Sequence, residues 1–149
     1  MKKMIIMLNL IVFLSYGEVK KASIEEVKNS IKLIEDIIKK GEDNIIDLFS
    51  ETIEIEKRAT TQYYAEKIKE KICKTSNINE NEFRNLRENF SFFDISIAWA
   101  INQIKGIPIK EVLKEKKEKL WIEILNEIDI NKENLIEKIK ELNPKLKTF

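Results

Sequence analysis

The sequence predicts an all-α fold: a single-domain bundle of six or seven helices following a cleavable N-terminal signal segment. Three observations predict it. Apolar residues recur at three- and four-residue steps along most of the chain, which is the period of one helix face. The 149 residues include only 3 Gly and 2 Pro, too few to turn the chain at every strand end of a β-sandwich or barrel. No alternating strand pattern survives beyond about four residues; the closest, TIEIE at 52–56, has helical flanks. The length suits one domain, and a hydrophobic content of 43% is enough to build a core.

The first segment is not expected to join that core. Lys2 and Lys3 precede the uncharged run Met4 to Tyr16, and Ser15-Tyr16-Gly17 places small residues at the −3 and −1 positions of a cut after Gly17. This is the layout of a secretory signal peptide, and the run is shorter than the roughly 20 apolar residues a membrane span requires. Residues 1–17 are therefore read as a signal peptide and 18–149 as an exported domain starting at Glu18, with no stable membrane span after cleavage. No Cys lies near the cut, so a lipid anchor is not expected. Removing Lys2 and Lys3 leaves 25 basic residues against 26 acidic ones, so a precursor charge of +1 becomes −1.

The helices follow in order. Ser23-Ile24-Glu25-Glu26 matches a capping box, and Ile24, Val27, Ile31, Ile34 and Ile38 form one stripe of a helix over 24–40, ended by Gly41. Ile45, Leu48, Phe49, Ile53, Ile55, Tyr64, Ile68 and Ile72 predict one long helix over 43–74, bent near Ala59-Thr60-Thr61. Its exit, with a candidate internal seam at 75–79, is Thr75-Ser76-Asn77. Asn79-x-x-Glu82 caps a short helix with Phe83, Leu86 and Phe90 on one face. Ser91-x-x-Asp94 opens FFDISIAWAINQI, which is apolar on most sides and so the most buried helix. Lys105-Gly106 ends it. Pro108 suits the first position of the next helix, whose core residues are Ile109, Val112 and Leu113. Trp121, Ile124 and Leu125 mark a further short helix. Asn131 caps the last, with Leu135, Ile136, Ile139 and Leu142 inward, and Pro144 stops it.

Little of this carries chemistry. With no His the commonest general base and metal ligand are missing, and Cys73, the single cysteine, can form neither an intrachain disulfide nor a cysteine-cluster metal site. Cys73 is read as a small buried apolar residue, with an intermolecular disulfide as the alternative. Asp129 to Glu133 falls short of a calcium loop. No cofactor and no metal are expected. Carboxylate pairs such as Asp94 with Glu111 or Glu123 could support acid–base work only if shielded from water. Asp94 itself suits the first turn of its helix, where a negative charge meets the dipole; its functional alternative is a carboxylate paired across the bundle.

Trp99 and Trp121 are read as core anchors; if one faces outward as an interface anchor, it is Trp121, which follows the charged run Lys114 to Lys119. Tyr63 and Tyr64 point about 100° apart on a helix, so one can be core and the other exposed. Lys110, Lys114 and Lys117 share a face, with Glu111, Glu115 and Glu118 between them, and read as a solvated surface. Residues 105–149 hold 11 basic and 9 acidic side chains, a weak footprint for a nucleic-acid binder.

Asp94, the run Ile95 to Ile104, Gly106, Ile109 with Glu111-Val112-Leu113, and Trp121-x-Glu123-Ile124 together resemble a family of small exported bacterial helical proteins of unknown function, over roughly residues 92–139. The glycines that the family pattern places before the Trp are Lys119 and Leu120 here, and the Gly expected near Glu127 to Ile130 is absent. The resemblance implies export and a helical fold. It brings no activity.

The expectation is a non-enzymatic protein-interaction or structural module of the cell envelope. Its partner would be an unidentified protein or a second copy, with no nucleic acid, and its candidate binding residues are Asp94, Glu111, Trp121 and Glu123. Two alternatives stand beside it. One is an envelope enzyme or inhibitor acting through acidic residues. The other is a cytosolic nucleic-acid binder, because Trp121 to Ile139 has helix–turn–helix spacing.

Overall fold

A helix with apolar side chains on every face can only be stable if other helices surround it, and the described fold is arranged around such a helix. The computed structural model describes residues 43–143 together with Lys28, Ile31, Lys32, Glu35, Asp36 and Lys39. The signal segment, the Ser23 capping box, Gly41 and Pro144 lie outside the described residues. Seven helices run in order: α1 Asp43–Arg58, α2 Gln62–Ser76, α3 Glu80–Asn89, α4 Phe92–Lys105, α5 Ile109–Lys116, α6 Trp121–Ile128 and α7 Lys132–Leu142. No strand occurs among the described residues. The expected all-α bundle is what forms. Lys28, Ile31, Lys32, Glu35, Asp36 and Lys39 are also helical, and all are exposed, Ile31 included at 41%.

The central helix is α4. Phe92, Phe93 and every residue from Ile95 to Ile101 are buried, and α4 contacts α1, α2, α3, α5 and α7. α1 and α7 also pack on each other, and α6 adjoins α5. The core that fills the space between them includes Leu48, Phe49, Ile72, Phe83, Leu113, Leu125 and Ile139. Phe49 of α1 meets Phe93 with ring centroids 5.7 Å apart, and Phe83 of α3 meets Phe92 at 5.9 Å.

The expected long helix over 43–74 is in fact two. Its stop is chemical: the hydroxyls of Thr60 and Thr61 donate to the carbonyls of Lys57 (2.7 Å) and Arg58 (3.0 Å). Threonine side chains thereby take acceptors that helical N–H groups would otherwise use. The backbone N–H groups of the same residues fold back on Lys57 and Arg58 as well, tightening the last turn in 3₁₀ fashion.

Elsewhere the local signals hold. Asn79 and Glu82 form a reciprocal capping box at α3, at 2.9 Å each way. Ser91 and Asn131 cap α4 and α7 through the N–H groups of Asp94 and Asn134. Gly106 closes α4 in the left-handed conformation (φ 72°). Pro108 sits at the N-cap of α5, one place ahead of the expected first turn. Where the resemblance expects a glycine after α6, Asp129 adopts the left-handed conformation itself (φ 51°), as the short polar side chains of Asp and Asn can.

Candidate functional site

The first turn of α4 carries free backbone N–H groups and a partial positive charge. Burying it requires acceptors, and two side chains supply them, with an arginine beside them. The Ser91 hydroxyl accepts from Asp94 N–H at 3.1 Å. A Glu56 carboxylate oxygen, carried in from the C-terminal half of α1, accepts from Phe93 N–H at 2.6 Å. The Arg87 guanidinium donates to the Phe90 carbonyl at 2.8 Å and lies over the Phe92 ring at 4.2 Å.

Asp94 is half-buried in this turn, and its carboxylate accepts from the indole N–H of Trp121 at 2.8 Å. Trp121 is thus a core anchor, as read, and not the outward-facing interface anchor of the alternative. Its side chain is 0% exposed and anchors α6 to α4. The charged run before it turns toward solvent at the α5–α6 connection, and the ring itself folds inward. Asp94 sits in the first turn, as read, and its carboxylate also bonds across the bundle, to an indole. Trp99, as expected, is buried, and its N–H donates to the Thr75 hydroxyl at 2.8 Å. Gln103 donates to the Thr75 carbonyl, so residues of α4 reach across to the 75–79 segment at its start.

The other two candidate residues do not join Asp94 and Trp121. Glu123 is exposed and accepts from Leu120 N–H at 2.8 Å, capping its own helix. Glu111 is exposed and opens onto a groove between α5 and α6, which neither Asp94 nor Glu123 lines. The carboxylates weighed for acid–base work are thus spread over separate tasks. Among the described residues no group of three or more His, Cys, Asp or Glu is placed to hold a metal ion. Cys73 is half-buried, and burial pushes its thiol above the ordinary cysteine range. Such a thiol is a weak nucleophile at neutral pH.

Two grooves flank α5, and they differ in charge. On the α6 side, Glu111, Glu115 and Glu127 rim a floor of Val112, Ile124 and Ile128. Lys119 bridges that rim, at 2.8 Å from both Glu115 and Glu127. The pairing with Glu115, then with Glu127, raises the Lys119 pKa, and the same contact holds Glu115 below the usual carboxylate range. On the α3 side the groove encloses about 280 Å³. α5 contributes Lys110, Leu113 and Lys114, with Lys117 at its C-cap, and α3 contributes Glu82, Asn85, Leu86 and Asn89, with Phe90 at its end. Lys110 pairs with Glu82 at 3.0 Å, and Lys117 stands over the Phe90 ring at 5.8 Å.

Lys110, Lys114 and Lys117 are all exposed, as read, and α3 also makes them one wall of a groove. Their i, i+4, i+7 spacing is visible in the sequence; the facing wall is not. Sequence reasoning also missed Glu56, 37 residues before the N–H it caps, since no local pattern marks such a pair.

Of the two tyrosines, Tyr64 is half-buried and Tyr63 is 62% exposed, the rings meeting edge to face at 5.3 Å. No helix among the described residues is long and apolar enough to cross a membrane. No protein-family model, curated protein or solved structure matches this chain.

Proposed function

We propose that this protein is an exported, non-enzymatic helical module that works by contacting another protein. The observation that carries this reading is the α3–α5 groove, where an apolar floor meets lysines that are not held in a closed internal network. Binding surfaces combine apolar contact with a polar rim, and this groove offers both. The residues with chemical potential are engaged elsewhere: Asp94 and Trp121 with each other, Glu56 with the α4 N-terminus, Glu123 with its own helix. Export rests on the layout of residues 1–17.

The helix–turn–helix alternative is disfavoured by charge. The α6–α7 pair has the spacing, but α7 balances Lys132, Lys138 and Lys140 against Glu133, Glu137 and Glu141, and so lacks the positive excess that draws the phosphate backbone supplying most of the affinity.

Two measurements test the reading. Expressed from the full-length sequence in a secreting host, the protein is expected outside the cytoplasm with Glu18 as its first residue; N-terminal sequencing that finds Met1 on the exported form would remove the export half. Crosslinking in intact cells, with a photoreactive residue at position 114, should give a defined protein adduct. A photoreactive residue at the exposed position 74 is the control, and equal adducts from both positions would remove the contact half.

A further inference from the structure

The geometry points to an acidic, amphipathic segment of a partner protein as the occupant of the α3–α5 groove. This inference rests on the protein-contact reading above and names the partner's chemistry. It starts from the way α5 sorts its charges. Although lysines and glutamates alternate along its sequence, Lys110 and Lys117 line only the α3 side and Glu111 and Glu115 only the α6 side, with Lys114 at the rim of both. On the α6 side Lys119 pairs with Glu115 and Glu127. On the α3 side Lys114 makes no ion pair within the described residues, and Lys117 meets only the ring face of Phe90.

Three lysines over seven residues of helix extend about 10 Å, which matches carboxylates spaced on one face of a helix or on alternate residues of an extended strand. The floor requires a second property of the occupant. Leu86, Leu113 and Phe90 line a space of about 280 Å³, which accepts an apolar side chain. Among the described residues only Lys114 and Lys117 of the row lack a carboxylate partner, a short electrostatic footprint for a nucleic acid and enough for a peptide with a few carboxylates. Glu82 adds direction: it holds Lys110 at one end of the row and would repel a carboxylate there. The partner's acidic groups belong at Lys114 and Lys117, with its apolar anchor against Phe90 and Leu113.

The test uses the full-length protein and a fluorescein-labelled synthetic peptide with Leu and Glu at i, i+3 and i+4 spacing. Fluorescence anisotropy should show binding that weakens as salt rises, because exposed charge contacts are screened. Peptides with Glu→Gln or Leu→Ala throughout should lose it. The Lys114→Gln/Lys117→Gln variant should bind roughly tenfold more weakly, the scale of two exposed ion pairs. A Lys74→Gln/Lys105→Gln control should bind as the parent does, with circular dichroism confirming that both variants are folded. Unchanged binding by the Lys114/Lys117 variant, or tighter binding of a single-stranded oligonucleotide of equal charge, would overturn the assignment. So would undiminished binding of the Leu→Ala peptide. Any of these together with a defined adduct in the cell crosslinking above removes the acidic occupant and leaves the protein-contact reading standing.

Discussion

The indole N–H of Trp121 and the Asp94 carboxylate form a polar link inside an apolar junction, and each partner's removal has a different consequence. Trp121→Phe keeps most of the apolar volume but leaves a half-buried carboxylate without its donor. Losing one partner of such a pair costs about 1–3 kcal/mol, and chemical denaturation should show a loss of that size. Asp94→Asn keeps an acceptor for the indole and should cost clearly less. Equal losses in the two variants would mean that packing, not the hydrogen bond, makes the junction. The Ser96 hydroxyl presents the opposite case: it is 0% exposed and has no hydrogen-bond partner among the described residues. Deleting an unpaired buried polar group removes a desolvation penalty, so Ser96→Ala is expected to leave stability unchanged or raise it by about 1 kcal/mol. A clear drop in melting temperature would show that the hydroxyl has a partner in solution.

The helix ends decide where each element starts and stops. Gly106 and Asp129 both hold the left-handed conformation, but only one is a glycine. A Cβ at Gly106 would meet nothing within 4 Å, so Gly106→Ala should lose only the backbone cost of that conformation, about 1–2 kcal/mol. Asp129→Gly should relieve part of the same cost and raise the melting temperature; a lower value would mean that the Asp129 side chain supports the α6–α7 turn. At α3, the Asn79 N–H, then Lys110, hold the Glu82 carboxyl below the usual carboxylate range. The folded protein therefore protonates Glu82 less readily than the unfolded chain does. The stabilisation is complete above the ordinary glutamate pKa of about 4.3 and is lost as pH falls through the lower folded value. Acid titration of Glu82→Gln should show a shallower loss of stability below about pH 4 than the parent, and parallel curves would contradict the capping role.

At the scale of the whole molecule, stability depends on α4, which touches each of the other six labelled helices, α6 through Trp121 and Asp94. Ile97 is fully buried within it. Ile97→Ala should cost about 2–5 kcal/mol, the range for emptying a well-packed site, and should lower stability in one cooperative transition. Two separate transitions would divide the molecule instead, and the 75–79 segment would be the first place to look for the division.

Much of α4 could be read directly: Ser91-x-x-Asp94 marks its start, Gly106 its end, and its unbroken apolar run its burial. The caps at Asn79 and Asn131 were equally legible, because each is a contact between residues three apart. The break at Ala59–Thr61 was only half legible. Apolar periodicity continues across it, and the two threonine hydroxyls that end α1 compete with the helix by a margin that spacing does not reveal.

By itself, then, the sequence determined the helical class, most helix boundaries and the central place of residues 92–105, since these follow from hydrogen bonds within a turn and from apolar periodicity. Only the tertiary structure decided that Trp121 points inward to Asp94, that Glu56 caps a helix 37 residues away, and that Lys110 and Lys117 line a groove against α3 while Glu111 and Glu115 line one against α6. Those outcomes depend on which helices pack side by side. That choice is made by long-range burial, and a local pattern of residues does not contain it.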